Sequence, residues 1–384
     1  MKNMKKVIGL AAAVAVAATA MAPVSVFADD TFKIGVIGPM TGDYAQYGTA
    51  VAIGAQIAVD EINAAGGVNG YQLELLDAAD DQGDPEKSVN AYNDLLDKGM
   101  QILCGTVTSG AGIAVGAEAA ESTFMFTPSG TAVDVITSGS NEFRMCFTDP
   151  MQGVKSAEFI SEHELGTKIA IIYDSMADYN TGIHDAFLEA AGTYGLEIVA
   201  DEAYTTDSNT DFSVQLSKVA ESGADLLFLP NYYNDNALIL QQAADAGLDI
   251  TMFGVDGMDG ILSVENFNTD LAEGVMLLLS FAASADDEAT VSFVEAFKEK
   301  SGGVVPNQFA ADAYDVIYAI KAAAEDAGIT PDMAKEEISE ALTASMLNIE
   351  CDGLTGHTTW TEDGECEKDP KAVVITDGTY EFID

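Results

Sequence analysis

Small hydroxylated residues follow two predicted strands, at the points where each strand gives way to a helix. Residues 106–112 follow the apolar run 101–105 and include Ser109, and residues 128–131 follow the run 123–127. In open α/β sheets, ligands bind beyond the carboxyl ends of the strands. Helix starts favour anions, because their first N–H groups lack helical partners and the helix dipole is positive there. Two such starts would hold a carboxylate without Arg or Lys; ordinary N-capping by Ser and Thr is the alternative.

Aromatic and acidic side chains follow three predicted strands farther along the chain. Tyr179 closes the segment 174–179, Tyr232 lies in the segment 231–234, and Asp256 follows the run 251–255. A carboxylate pairs with a primary ammonium, and aromatic faces attract the same cation. Packing is the alternative for the tyrosines. With the hydroxylated segments, this group describes a site for a zwitterionic amino acid.

The elements that must position these side chains alternate regularly between strand and helix. Over residues 33–127 the order is β-α-β-α-β-α-β, and a similar rhythm restarts near residues 147–153 and runs to residue 255. This alternation predicts an α/β fold with two lobes, each built on a doubly wound parallel sheet. We find no Ser/Gly/Pro-rich linker between the lobes, so we expect several short crossings and a hinged cleft.

Composition narrows the classes of partner. The 384 residues include 63 Asp and Glu against 16 Lys and Arg, a net charge of −47, and 48% are hydrophobic. That hydrophobic content excludes global disorder, and the length suggests about two domains. Nucleic-acid binding requires a cationic face and is excluded. Docking on an anionic lipid surface is disfavoured for the same reason.

The first 28 residues have the pattern of an export signal. Three lysines in residues 1–6 precede the apolar run 7–26, and small residues precede a cleavage point after Ala28. An uncleaved membrane anchor is the alternative. The first cysteine is Cys104, so lipid attachment through a cysteine at the cleavage site is excluded. We therefore expect an exported protein, periplasmic or extracellular, that is not lipidated there.

The four cysteines fall into two pairs. Cys351 and Cys366 flank a segment typical of a strand–turn–strand unit, and a disulfide between them is predicted. Cys104 and Cys146 end apolar runs and are predicted to be buried thiols. No CxxC spacing is present, so zinc binding and thioredoxin-type chemistry have no support.

Catalytic motifs are missing from the sequence. The phosphate-binding pattern GxxxxGK[ST] does not occur, and residues 35–38 do not form GxGxxG. The surroundings of Ser109 lack the first glycine of GxSxG. We therefore predict that the protein is not an enzyme and needs neither a cofactor nor a metal.

An ordered set of short motifs resembles a known family. Residues 33–76, KIGVIGPMTGDYAQYGTAVAIGAQIAVDEINAAGGVNGYQLELL, closely resemble the start of the extracytoplasmic leucine/isoleucine/valine-binding proteins of ABC importers. Further matches follow in order, among them Thr127-Pro128, Asp178-Tyr179 and Asp256-Gly257. The resemblance spans residues 33–384 and implies a type I periplasmic binding protein with three crossings between its lobes. By this resemblance, the first lobe holds residues 29–148 and 275–351, and the second holds residues 149–274 and 352–384.

The resemblance also implies ligand-binding residues. The positions that match the family's carboxylate-binding groups are Ser109, Ser129, Gly130 and Thr131. The family's acidic ammonium-binding residue falls on Asp256, and its pocket tyrosines fall on Tyr179 and Tyr232. Tyr44 and Phe309 are the candidate contacts for the ligand side chain. A family disulfide is missing, because its positions are Gly83 and Thr108 here.

These residues imply an extracytoplasmic solute receptor. It is expected to capture an amino acid, branched-chain or otherwise apolar, in the cleft between its lobes. As a monomer, it would deliver that ligand to the permease subunits of an ABC importer. The alternative is a sensory ligand-binding protein for an amino acid, an amide or a small carboxylic acid, because different functions are grafted onto one fold.

Overall fold

The computed structural model describes residues 6–9 and 30–383. Sixteen strands are present in these residues: Lys6–Gly9 (β1), Thr31–Gly38 (β2), Gln72–Leu75 (β3), Ala79–Asp80 (β4), Ile102–Gly105 (β5), Phe124–Thr127 (β6), Glu142–Arg144 (β7), Lys168–Asp174 (β8), Glu197–Tyr204 (β9), Leu226–Leu229 (β10), Thr251–Gly254 (β11), Met276–Leu279 (β12), Ile349–Gly353 (β13), Gly356–Thr358 (β14), Lys371–Thr376 (β15) and Thr379–Phe382 (β16). Apart from β1, which pairs in parallel with β13, the predicted export signal lies outside the described residues.

Ten α-helices alternate with these strands in the described residues: Ala45–Ala64 (α1), Pro85–Asp97 (α2), Ser109–Ala119 (α3), Asp149–Glu162 (α4), Asp178–Ala191 (α5), Ser213–Ser222 (α6), Tyr233–Asp245 (α7), Glu288–Ser301 (α8), Gln308–Ala327 (α9) and Lys335–Met346 (α10). Of the helices just given, none has the length and apolar character needed to cross a bilayer.

The chain divides into two compact units. Of the described residues, the first unit contains those up to Gly130, Asp134–Cys146 and Ala285–Lys368. The second contains Thr131–Val133, Phe147–Ser284 and the described residues from Asp369 onward. These boundaries differ from the predicted ones at residues 275 and 351. Strand β12 pairs with β11 and β15 and so belongs to the second unit, whereas the β13–β14 hairpin belongs to the first.

The first unit is built on a parallel sheet with the order β3-β2-β5-β6-β7, and β4 also pairs with β2. Strands β5 and β6 are buried along their whole length, which explains their continuous apolar sequences. The order places the first strand inside the sheet, so the direction of winding reverses between β2 and β5. This is the predicted doubly wound arrangement.

The second unit repeats that arrangement. Its sheet has the order β16-β15-β12-β11-β10-β8-β9. Strands β8 to β12 run parallel, and β15 and β16 add an antiparallel edge. The core includes Phe187 stacked on Phe228 with their ring centroids 4.1 Å apart. The predicted α/β fold of doubly wound parallel sheets is confirmed.

The predicted disulfide is wrong. Cys351 and Cys366 are both buried free thiols. The register of β13 and β14 places Cys351 opposite Thr358, and the backbone of Cys366 forms an isolated antiparallel β-bridge with that of Trp360. The Cys366 thiol donates a hydrogen bond to the carbonyl of Cys146, 3.1 Å away. The two cysteines therefore meet different partners. Cys104 and Cys146 are buried thiols, as predicted.

Candidate functional site

In the first unit, the loops that follow β5 and β6 are tied to each other by hydroxyl groups. The Thr127 hydroxyl donates to the Thr106 carbonyl at 2.7 Å, and the Ser129 hydroxyl donates to the Val107 carbonyl at 2.9 Å. Both hydrogen bonds are buried. They satisfy the Thr106 and Val107 carbonyls, which would destabilise the fold if left unpaired away from water. The two loops therefore form one rigid element at the carboxyl edge of the sheet. The peptide between Gly105 and Thr106 is cis.

Helix α3 begins in this element. Its first residue, Ser109, is buried, and its N-cap, Thr108, makes no hydrogen bond from its side chain to the first helical turn. Small residues fill the rest of the turn, so a ligand can approach the backbone closely. A buried helix start with these properties favours an anion, as the sequence predicts.

Two of the four predicted carboxylate-binding residues have their donors engaged inside the loops. The Ser129 hydroxyl is bonded to Val107, and the Gly130 N–H donates to the Thr127 hydroxyl oxygen at 2.8 Å. Ser109 and Thr131 are the other two predicted residues, and both side chains are buried. In this structure, the donor groups of Ser129 and Gly130 therefore stabilise the loops.

Thr127 is a residue that sequence reasoning missed. Its hydroxyl donates to Thr106 and accepts from the N–H groups of Ser129 and Gly130. It is the last residue of β6, and the sequence pattern predicts it only as part of the strand run 123–127. The available signal was a hydroxyl at a strand terminus, directly before the Pro128-Ser129-Gly130 turn.

In the second unit, the predicted ammonium-binding residues meet at the carboxyl edge of the sheet. Asp256 starts a short 3-10 helix, Asp256–Met258, directly after β11, and Tyr179 lies in the first turn of α5. The Tyr179 hydroxyl donates to Asp256 Oδ1 at 2.6 Å and accepts the Gly257 N–H at 2.8 Å. Parallel strands bring these separate segments to one edge.

Tyr232 completes this group. It is the N-cap of α7, directly after the strand β10 and its short connection. Its ring stacks on that of Tyr179, with centroids 4.5 Å apart and planes within 8°. The structure therefore brings together Asp256, Tyr179 and Tyr232, which the sequence assigned to one ammonium site.

Burial sets the protonation of this group. Asp256 is only 2% exposed, and the loss of hydration raises the pKa of its carboxyl to about 6. The hydrogen bond from the Tyr179 hydroxyl acts in the opposite direction and favours the ionised carboxylate. Burial and the adjacent Asp256 carboxylate raise the pKa of Tyr179 well above its usual value. Tyr179 thus remains a hydrogen-bond donor at neutral pH.

Gln152 is a second residue that the sequence did not indicate. Its side-chain oxygen accepts the Asp256 backbone N–H at 3.1 Å, which fixes the start of the 3-10 helix. Gln152 lies in α4, whose pattern predicted only a helix. Nothing local in the sequence connects it to residue 256.

The two predicted side-chain contacts lie in an aromatic cluster of the first unit. Tyr44 stacks with Tyr47, and Phe309 packs edge-to-face on Tyr47 with centroids 4.6 Å apart. A Cβ added at Gly83 would lie 2.8 Å from the Tyr44 ring and 3.8 Å from Thr108. Gly83 and Thr108 are thus neighbours, as the family disulfide positions require, and the Tyr44 ring packs against Gly83.

A metal-dependent site does not arise from the described part of the chain. Within residues 6–9 and 30–383, no three His, Cys, Asp or Glu side chains are grouped so as to hold an ion. The first unit therefore offers a buried helix start, and the second offers a buried carboxylate with two stacked aromatic rings.

Two doubly wound units with polar groups at the carboxyl ends of their strands are an arrangement that solute-binding proteins use. The sequence profile of the periplasmic binding proteins matches residues 31–379. This chain belongs to the periplasmic binding protein family, and within it to the Leu/Ile/Val-binding proteins. A Leu/Ile/Val-binding protein homolog from Brucella melitensis is 32% identical over 327 residues, which cover 85% of this chain and 86% of that protein.

Two further relatives extend this comparison. The leucine-, isoleucine-, valine-, threonine- and alanine-binding protein of Pseudomonas aeruginosa is 31% identical over 343 residues, which cover 88% of each chain. The crystal structure of the branched-chain amino acid transporter substrate-binding protein LivJ from Streptococcus pneumoniae, in complex with isoleucine, superposes with a TM-score of 0.83. It is 30% identical in sequence, and the match covers 92% of this chain and 99% of that one.

Proposed function

We propose that this protein is an extracytoplasmic receptor that binds an amino acid with an apolar, branched side chain and delivers it to an ABC importer. The ligand carboxylate contacts Ser109 and Thr131, in loops that Ser129 and Gly130 help to shape. The ligand ammonium contacts Asp256, flanked by Tyr179 and Tyr232. The receptor binds and releases its ligand without catalysing a reaction.

The buried carboxylate of Asp256 is the observation that carries this proposal. An ionised carboxylate that is 2% exposed loses most of its hydration and needs a compensating charge. One hydrogen bond from Tyr179 supplies part of that compensation. A ligand ammonium supplies the rest, whereas an acid without an amine would add a second negative charge. The site therefore favours an amino acid over a simple carboxylic acid.

The relatives support the choice of side chain. The names of the Brucella and Pseudomonas relatives both include leucine, isoleucine and valine, and the Pseudomonas name adds threonine and alanine. The LivJ crystal structure contains isoleucine. Tyr44 and Phe309 contribute to a cluster of apolar rings that suits such a side chain. We further propose export with cleavage after Ala28, no lipid attachment there, a monomeric receptor, and permease subunits as its partners.

A thermal-shift panel on ligand-stripped protein tests this function. The panel contains L-leucine, L-isoleucine, L-valine, L-phenylalanine, L-aspartate, benzoate and 4-methylpentanoate. A ligand that binds only the folded state stabilises it by about 4 kcal/mol at a thousandfold excess over Kd. We expect large shifts with the three branched-chain amino acids only. Shifts confined to benzoate or 4-methylpentanoate would contradict the proposal. Uptake of labelled leucine with reconstituted permease distinguishes a transport receptor from a sensory one.

A further inference from the structure

A buried guanidinium lies behind one of the proposed carboxylate-binding loops. Arg144 is the only arginine in a chain with a net charge of −47, and its side chain is fully buried. It ends β7, whose register places Arg144 opposite Thr127, the last residue of β6. The sheet thus sets the guanidinium beside the turn that leads from β6 to Gly130.

The contacts of Arg144 orient it toward that turn. Its Nη1 donates to the carbonyl of Gly130 at 3.0 Å, and its Nε lies 3.1 Å from the Glu365 carboxylate. The indole N–H of Trp360 donates to the Arg144 carbonyl at 2.9 Å, which holds the backbone of β7. Arg144 is therefore fixed from two sides while its guanidinium faces the loop.

The Gly130 carbonyl and the Thr131 N–H belong to one peptide group. A cation that bonds to the carbonyl withdraws electron density from the peptide, which makes its N–H a stronger donor. The effect is larger in a buried site, where the effective dielectric constant is low. Arg144 thus acts on the peptide that presents Thr131, without needing to touch a ligand itself.

We propose that Arg144 is a positioning residue for carboxylate binding: it fixes the Gly130–Thr131 peptide and adds positive potential behind it. This inference rests on the proposed function, since it assumes that the loop receives the ligand carboxylate. Arg144 would place one positive charge behind loops whose proposed ligand contacts, Ser109 and Thr131, are uncharged.

The carboxylate of Glu365 should act on carboxylate binding in the opposite direction to the Arg144 guanidinium. The Glu365 side chain is 34% exposed and lies beside Nε of the guanidinium, where its negative charge offsets part of the positive charge. Neutralising Glu365 leaves Arg144 and its bond to Gly130 in place and strengthens the field at the loop. A purely structural Arg144–Glu365 pair would instead lose affinity when either member is changed.

Isothermal titration calorimetry with L-leucine and L-leucinamide tests this account on the full exported chain. Leucinamide keeps the ammonium and the side chain but lacks the carboxylate. For Arg144→Gln we expect the affinity for leucine to fall about tenfold relative to that for leucinamide, as for the loss of a charge-assisted contact. Arg144→Lys keeps the charge and should retain part of that preference.

Glu365→Gln tests the same role of Arg144 if the Arg144 variants fold poorly. We expect this variant to bind leucine about threefold more tightly. The effect is small because the Glu365 charge is partly exposed to solvent. Glu325→Gln, which changes the same charge on α9 beside Lys321, is the control and should leave the Kd unchanged. Weaker or unchanged leucine binding by Glu365→Gln would overturn the inference while leaving the proposed function intact. Failure of the wild-type protein to bind any branched-chain amino acid would overturn both.

Discussion

The phenol oxygen of Tyr179 lies 2.6 Å from Oδ1 of Asp256 and also accepts the N–H of Gly257. One side chain thereby orients the buried carboxylate and fixes the backbone that carries it. This relationship joins residues 77 positions apart in the sequence. It explains how the buried Asp256 carboxylate is held in one orientation.

Removing the Tyr179 hydroxyl should weaken amino-acid binding. Tyr179→Phe keeps the ring stacked on Tyr232 but removes a buried hydrogen bond to an ionised group, worth about 1.5–3 kcal/mol. We expect the Kd for leucine, measured by calorimetry, to rise at least about tenfold. Tyr92→Phe, which removes a buried hydrogen bond to Thr123 in the first unit, is the matched control. An equal loss of affinity in both variants would contradict a specific role for Tyr179.

Amino-acid binding should weaken in acid. The pKa of Asp256 in the ligand-free protein is about 6, and the ammonium requires the ionised carboxyl. The affinity should therefore be constant above about pH 7 and fall about tenfold for each pH unit below 6. Calorimetry in buffers of different ionisation enthalpy should show that binding releases most of one proton at pH 5.5. A proton release that is the same at pH 5.5 and pH 8 would contradict this role.

The stability of the ligand-free protein should fall as the pH rises, whereas its affinity for amino acids should rise. The folded-state pKa of Asp256 is raised from 3.8 to about 6. The stabilising contribution of Asp256 to the free energy of unfolding is therefore fully present below about pH 4 and is lost as the pH rises through 6. Asp256→Asn removes this dependence, and its free energy of unfolding in urea should exceed that of the wild type at pH 8. A less stable variant at pH 8 would show that the ionised carboxylate is already compensated in the ligand-free protein.

A methyl group at Gly257 should disrupt the site locally. A Cβ there would lie 2.5 Å from the Tyr179 hydroxyl and 3.0 Å from the Tyr232 ring. Gly257→Ala must therefore displace Tyr179 or the start of the 3-10 helix, and we expect leucine binding to fall by about 100-fold, the cost of a disturbed buried contact. At Gly192 in the same unit, an added Cβ meets nothing within 4 Å. Gly192→Ala should therefore bind leucine normally in the same titration.

The buried ion pair of Lys368 should support the first unit without affecting the ligand chemistry. Lys368 lies 3.4 Å from Asp312 and donates to the Thr355 hydroxyl, and the side chains of the ion pair are only 3% and 2% exposed. Lys368→Met leaves buried acids uncompensated and should cost about 3–5 kcal/mol of unfolding free energy. Lys321→Met removes a partly exposed pair and should cost at most about 1 kcal/mol. Comparable losses in the two variants would contradict the importance of burial here.

Local sequence was sufficient to predict the layers of the fold and the grouping of Asp256, Tyr179 and Tyr232 at one edge of the second sheet. Continuous apolar runs such as β5 and β10 could be recognised because parallel strands are buried on both faces. Asp256 and Tyr179 could be placed together because parallel strands share one carboxyl edge.

Long-range pairing was not predictable in the same way. The addition of β12 to the second unit depends on strand neighbours that no local pattern specifies. The engagement of Ser129 by Val107 depends on how two loops fold against each other. Nothing local in the sequence connects Arg144 to residue 130, and only the register of β6 and β7 places its guanidinium beside the Gly130 carbonyl.

The most direct test of the ammonium site compares two ligands in two proteins by calorimetry. L-leucine carries an ammonium, and 4-methylpentanoate is the same acid without it; each is titrated into the wild type and Asp256→Asn at pH 8. We predict that the wild type prefers leucine by at least about 100-fold, the worth of a buried charge pair, and that Asp256→Asn loses most of this preference. An unchanged preference in Asp256→Asn would contradict the assignment of Asp256 as the ammonium-binding residue.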